Sequence, residues 1–258
     1  EEIKGLDQWN TSKVTNMSGM FCRCRNLKEI DLKKFDTSNV TNMSRMFYYC
    51  YSLTELDVSN FVTDNVTEFG GMFSSCWSLT NLDVSGFNTK NASSLNGMFS
   101  GCSGLLSIDV SRFDTSKVTN MSSMFYGCTS LTNISIDNFD MSKVTNVDYM
   151  FRGCSGLTSI YYPDTATKIS SITFGGCTNL TSLYIPASVT TIDSCSSLSG
   201  FGALNLPFAG CNSSTVLYCG ASEKPSTWGI YWNNYSKTGK LTVNFGYTRE
   251  QYEAIINN

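Results

Sequence analysis

The sequence predicts an α/β repeat fold, a solenoid with short parallel strands on one face and short helices on the other. Three observations carry this. Cys24, Cys50, Cys76, Cys102, Cys128 and Cys154 recur at a spacing of 26 residues. Met, Phe and Leu columns keep the same register, from Met20, Phe21 and Leu27 to Met150, Phe151 and Leu157. A unit this small cannot bury its apolar side alone, so the copies must stack.

The strand comes from the residues after each Leu column. Leu79 is followed by Leu82 and Val84, and Leu105 by Ile108 and Val110. This is the L-x-x-L-x-L signature of a leucine-rich repeat, whose alternate residues point into the core. A bend is expected at Phe35, Phe61, Phe87, Phe113 and Phe139. The helix comes from "SKVTNMSSMFYGC", where Val118, Met121, Met124, Phe125 and Cys128 share one helical face and Ser116 or Thr119 would cap it. Gly101, Gly127, Gly153 and Gly176 precede their cysteines, where a left-handed residue would turn the chain into the next strand.

These motifs identify a resemblance: "FDTSKVTNMSSMFYGCTSLTNI" is similar to the 26-residue bacterial surface repeat of mycoplasma lipoproteins, Listeria surface proteins and BspA-like leucine-rich proteins. It covers roughly residues 5–160. "FGGCTNLTSLYIPASVTTI" shortens the step to 23 and resembles the BspA-type repeat proper, and "PFAGC" at 207–211 is one more turn after an insertion around 194–205. The expected organisation is a leucine-rich-repeat solenoid over 1–211 and a closing element with tail over 212–258. The resemblance implies an extracellular protein of the bacterial cell surface. It would act in adhesion or in binding a protein or glycan of a host or neighbouring cell, without catalysis. The alternative is a structural spacer or targeting scaffold attached to an enzymatic domain.

Composition narrows the chemistry. Of 258 residues 15% are charged and the net charge is −3, so no basic stripe for nucleic acid is present. No apolar run reaches the length needed to span a bilayer, and "EEIKGLDQWN" lacks the regions of a signal peptide. Targeting and anchoring segments are expected outside this sequence, and the molecule is expected to be a monomer. There is no histidine, which removes the commonest base for a serine or cysteine nucleophile, and no G-x-S-x-G, phosphate loop or dinucleotide fingerprint occurs. The expectation is therefore no enzyme, no cofactor and no metal. Eleven cysteines suggest disulfides in an exported protein, but a thiol recurring once per turn among Met, Phe and Leu columns fits reduced core packing better.

Candidate binding residues lie where repeats depart from their consensus. Asp31, Asp57, Asp83 and Asp109 have opposite parity to the core and should line the open strand face, where their mutual proximity would raise some pKa values or attract a cation. That column continues as Ser135, Tyr161 and Tyr184, making the face acidic at one end and aromatic at the other. Around the cysteine turn, Tyr48, Tyr49, Tyr51 and Trp77 gather on one rim, either as interface anchors or as a shield for the exposed end of the stack.

Overall fold

The computed structural model describes residues 3–193, 205–236 and 239–257. Most of the insertion around 194–205, with Cys195, lies outside them.

The repeats stack through a ladder that runs through the segment expected to be helical. In the first copy the N–H groups of Met20, Cys22 and Cys24 bond to the carbonyls of Met17, Gly19 and Phe21, closing overlapping turns of 2.9–3.2 Å. The intervening N–H groups of Met17, Gly19, Phe21 and Arg23 leave the repeat and bond to the carbonyls of Asn42, Ser44, Met46 and Tyr48 in the next, at 2.6–2.9 Å. Parallel bridges run Asn16–Asn42–Glu68–Ser94–Asn120–Asn146. The expected short helices are therefore corrected to turns. A helix would satisfy its amides internally; these turns send every second one along the stack. Two turns per repeat need a positive φ at their third residue, as in type II turns: +65° at Gly19 and +64° at Arg23 in the first copy. The apolar face expected of the helix survives, since Val118, Met121, Met124, Phe125 and Cys128 are all buried. Neither expected cap acts as one: Ser116 N–H bonds to Asp114 Oδ1 at 3.0 Å, and Thr119 Oγ1 donates to the carbonyl of Ser93 at 3.3 Å.

Inside the ladder Phe47, Phe73, Phe99, Phe125, Phe151, Phe174 and Phe208 stack in one column, with ring centroids 5.5–5.8 Å apart. Thr37, Thr63, Thr89 and Thr115 are buried. Each bridges to the next copy; Thr37 Oγ1 donates to the Val62 carbonyl at 3.0 Å and accepts from its N–H at 2.7 Å.

The L-x-x-L-x-L segments are buried as expected, with Leu79 and Val84 0% and Leu82 4% exposed. They do not pair as strands before residue 159, among the described residues, which corrects the expected pairing of the 79–84 segment with its neighbours. Asp31, Asp57, Asp83 and Asp109 each accept the N–H two residues on, at 2.9–3.0 Å, a local bond that opens the turn following the segment. The copy with Ser135 in this column forms no strand either. Where tyrosine replaces aspartate, regular strands appear: β1 (Ser159–Tyr161), β3 (Ser182–Ile185) and β5 (Val216–Cys219) form a parallel sheet that ends in β6 (Thr242–Phe245). Tyr161, Tyr184 and Tyr218 are register partners in it. A second parallel pair joins β2 (Lys168–Ile169) to β4 (Thr191–Ile192). The sheet thus continues across residue 212 into the closing element, where Trp228 and Trp232 are buried. Helix α1 (Arg249–Ile256) follows β6, capped by Thr248 and Gln251, which exchange side-chain and backbone bonds.

The left-handed turn positions make a stability prediction. Gly127 has φ +68°, and an added Cβ would meet only ordinary contacts at 3.8–3.9 Å, so Gly127→Ala isolates conformational strain. Urea denaturation should show a loss of about 1–2 kcal/mol. Gly86 has no positive φ and open space about it, so Gly86→Ala should be neutral or stabilising by about 0.5 kcal/mol. Equal effects at the two sites would contradict the turn geometry.

Candidate functional site

The cysteine column is the first place to look for chemistry. Cys50, Cys76, Cys102, Cys128, Cys154, Cys177 and Cys211 are buried free thiols. Each donates its S–H to a phenylalanine carbonyl of the preceding copy, from Cys50 Sγ to Phe21 O at 3.1 Å through Cys211 Sγ to Phe174 O at 3.0 Å. That carbonyl already accepts the amide of its own repeat's cysteine, as in Cys24 N–H to Phe21 O at 3.2 Å. The buried thiol satisfies the second lone pair of that carbonyl. Burial pushes the pKa of Cys50, Cys102, Cys154 and Cys211 up to about 12. A thiol that keeps its proton is neither a nucleophile nor a ligand. Among the described residues no cluster of three or more His, Cys, Asp or Glu side chains is arranged to hold a metal ion.

The aspartate column is exposed and locally engaged. Serine hydroxyl and backbone hydrogen bonds from Ser59, Ser85 and Ser111 pull the Asp57, Asp83 and Asp109 carboxyls below their ordinary value. This corrects the expectation of raised values: repulsion from Asp57 and Asp109 acts on Asp83 but is outweighed by its turn bonds.

At the other end of the strand face the expected open aromatic surface is covered. Tyr161 and Tyr184 stack at 4.8 Å. Tyr252 of α1 lies over them, with ring centroids at 6.4 and 5.6 Å, and bonds through its hydroxyl to the carbonyl of Ile160 at 3.0 Å. Arg249 sits 4.5 Å above the Tyr161 ring and pairs with Asp137 at 2.8 Å and Glu253 at 2.6 Å. Tyr184 is left 5% exposed. No local pattern announces this cover, because α1 lies far along the chain from the residues it covers.

The cysteine-turn edge does bring its aromatics together. Tyr48 meets Tyr49 edge-on at 4.2 Å, Tyr49 meets Tyr51 at 5.3 Å, and Tyr51 stacks on Trp77 at 4.1 Å with an 18° interplanar angle. Arg25 lies over Tyr51 at 5.6 Å and Arg45 over Tyr48 at 5.8 Å. Local chemistry places them: Tyr49 sits at a left-handed turn position, φ +61°, which aims its side chain away from the packed columns. Beyond Trp77 the next copy reads "SGCSG" (100–104), so no large side chain covers its outer face, and Trp77 is 49% exposed.

A family model described as "Mycoplasma protein of unknown function, DUF285" matches residues 1–107 and 93–162. The chain belongs to the DUF285 family. Its DUF285 copies are the 26-residue units of the turn ladder. Among solved structures, the chain is similar to a leucine rich cell surface protein of Faecalibacterium prausnitzii at 19% identity, covering 95% of this chain and 73% of that one, with a TM-score of 0.40. It is also similar to a leucine-rich repeat protein of Bacteroides ovatus at 19% identity, covering 95% and 82%, with a TM-score of 0.29. No curated protein sequence matches it.

The thiol column predicts an alkaline transition. A cysteine with a pKa near 9 when unfolded and about 12 when folded holds its proton only in the fold. Its contribution is intact below pH 9 and is lost as the pH rises from about 9 to about 12. Stability should therefore be level through neutral pH and then fall, by up to ~1.4 kcal/mol per pH unit for each such thiol. Thiol labelling of native protein at pH 8 should reach Cys22 and Cys24 but not the buried column. Rapid native labelling of Cys102 or Cys128 would contradict it.

Proposed function

We propose that this chain is a non-catalytic binding module, a leucine-rich-repeat solenoid of the bacterial cell surface that holds a protein or glycan of a host or neighbouring cell. The carrying observation is the Tyr51–Trp77 stack. Both rings stand on an edge where later copies carry Ser103, Thr129 and Ser155, so nothing in the repeat requires them. Large aromatics and arginine dominate binding energy where they are rigid and can be desolvated. Here Tyr48, Tyr49, Tyr51 and Trp77 brace one another, and Arg25 and Arg45 lie against them without a carboxylate partner among the described residues. The exposed carboxylates Asp31, Asp57, Asp83 and Asp109 flank an open strand face that can add contacts. Tyr161 and Tyr184 contribute only if α1 moves away.

The lack of histidine and the protonated, buried thiols support a role without catalysis. Monomeric solenoids present their variable positions to partners in the same way, with the constant columns left to structure.

Immobilised host glycoproteins, matrix proteins and glycans, and intact host cells, provide the test. Trp77→Ala should weaken binding of the whole chain about thirtyfold, the effect of ~2 kcal/mol at a buried anchor. Its thermal unfolding should not change, because Trp77 is half exposed and outside the core column. Undiminished binding by Trp77→Ala and Tyr51→Ala would remove the edge as the binding site.

A further inference from the structure

The aromatic edge has a counterpart further along the stack. Arg152 lies over Tyr149 at 5.6 Å and over Tyr126 at 5.8 Å. The pair Tyr149–Arg152 occupies the same two repeat columns as Arg45–Tyr48, four copies on, with the two residue types exchanged. At about 4.8 Å per stacked strand the two pairs stand roughly 20 Å apart. Tyr126 and Tyr149 are 40% and 36% exposed, as large a fraction as any tyrosine of the chain shows.

Between the first post and Tyr126 the two columns carry only Gly71, Ser74, Gly97, Ser100 and Ser123. Arg45 and Tyr48 lean over Gly71, whose Cβ position lies 3.4 Å from the Arg45 side chain and 3.9 Å from Tyr48. A cleft of ≈ 550 Å³ continues from there past Ser74, Gly97 and Ser100. Beyond Tyr126 a second cleft of ≈ 640 Å³ follows, edged by Arg152 and Tyr235 and floored by Gly127, Gly153, Gly176 and Gly210. The backbone of this floor is already paired. Gly71, Gly97 and Gly101 N–H groups bond to Asn96, Ser122 and Tyr126 carbonyls at 2.8, 2.8 and 2.5 Å, and the amides between them close turns. An extended peptide adds to a protein by main-chain hydrogen bonds to a free edge. The floor's remaining amides, such as Gly70 N–H, stand singly between paired ones and make no such edge. What it offers is glycine CH₂ surface, serine hydroxyls, and three tyrosine rings each with a guanidinium over one face, which is the complement of a sugar chain with apolar ring faces and hydroxyl edges.

The charge on the posts refines the choice. Arg23, Arg25, Arg45 and Arg152 have no ion pair among the described residues. Two carboxylates lie near the trough: Glu68, which accepts a hydrogen bond from Ser93 Oγ at 2.6 Å, and Asp148. Arg45 and Arg152 edge the clefts as guanidinium groups without an ion pair among the described residues, while Glu68 is engaged by Ser93. We propose that the turn face binds an acidic glycan along the stack axis, its rings against Tyr48, Tyr126 and Tyr149 and its carboxylates on Arg45 and Arg152. This rests on the reading of the aromatic edge as a binding surface and names the class of ligand it takes.

The test uses the whole chain with galacturonate oligomers of graded length, dextran as a neutral glycan and polyglutamate as an acidic polypeptide. Galacturonate should bind, more tightly once an oligomer is long enough to reach from Arg45 to Arg152, and more weakly as salt is raised. Arg152→Gln and Tyr126→Ala should each weaken it about tenfold or more without changing thermal unfolding, since both side chains are exposed. Equal binding of dextran or polyglutamate, no dependence on length, or unchanged affinity in Arg152→Gln would overturn the proposal. If Trp77→Ala loses host-cell binding while galacturonate fails to bind at all, the edge still binds a partner and the glycan assignment alone is wrong. If Trp77→Ala has no effect on cells and galacturonate fails, both readings fall.

Discussion

The structure depends on where every second peptide N–H goes. In the turn segment of each repeat, amides alternate between closing a turn within the copy and reaching the carbonyl of the next. A paired backbone group is needed at each of these buried positions, since leaving one unmade costs about 1–3 kcal/mol. The ladder meets that need only if the copies stay in register. Register in turn brings Phe onto Phe and Cys under the Phe carbonyl of its neighbour. Met, Phe, Cys and the buried Thr of "FDTS" are thus constrained together, and the positions that point off the ladder are free to differ.

The same constraint explains what could be read from the sequence and what could not. The columns fixed burial correctly because periodicity reports which side chains face inward, whatever the backbone does. A helix and a series of turns both place residues spaced by three or four on one face, so Val118, Met121, Met124, Phe125 and Cys128 could not distinguish them. The distinguishing signal was present in Gly19, Gly71 and Gly97, four residues before the Arg23, Ser75 and Gly101 positions. Two left-handed residues four apart are incompatible with one helix. It was obscured because Arg45, Tyr49, Ser123 and Tyr149 fill the equivalent sites in other copies. The left-handed glycines before the cysteines were legible because later copies keep them without exception.

Other features depend on partners that no local pattern reveals. Thr37 and Thr63 read as surface turn residues, yet their hydroxyls form reciprocal bonds to the backbone of the next copy. The covering of Tyr161 and Tyr184 by Tyr252 joins residues some 70 to 90 positions apart. The clustering of Tyr48, Tyr49, Tyr51 and Trp77 was legible, since residues of adjacent columns in adjacent copies must meet once the stack forms. Its continuation to Tyr126, Tyr149 and Arg152 was harder to see, because the matching positions lie several copies away and exchange residue type.

One substitution column also divides the molecule into two modes of stacking. While the position after the second core residue is aspartate, and in the copy with Ser135, no regular strand forms, and the turn ladder with the buried threonines holds the copies together. From Tyr161 onward β1, β3, β5 and β6 pair, and the flat tyrosine column they create is itself apolar enough to need a cover, which α1 provides. The strand face is consequently acidic and open over the early copies and aromatic and closed over the late ones. The turn edge follows the opposite logic. Its backbone pairing continues into the late copies through the Phe and Gly amides, as in Phe151 N–H to Thr173 O and Gly153 N–H to Gly175 O, and does not use the outward side chains, so large rings there are free to face solvent. Exposed Trp77, Tyr126 and Tyr149 lie on that edge, where removing a ring leaves the ladder intact.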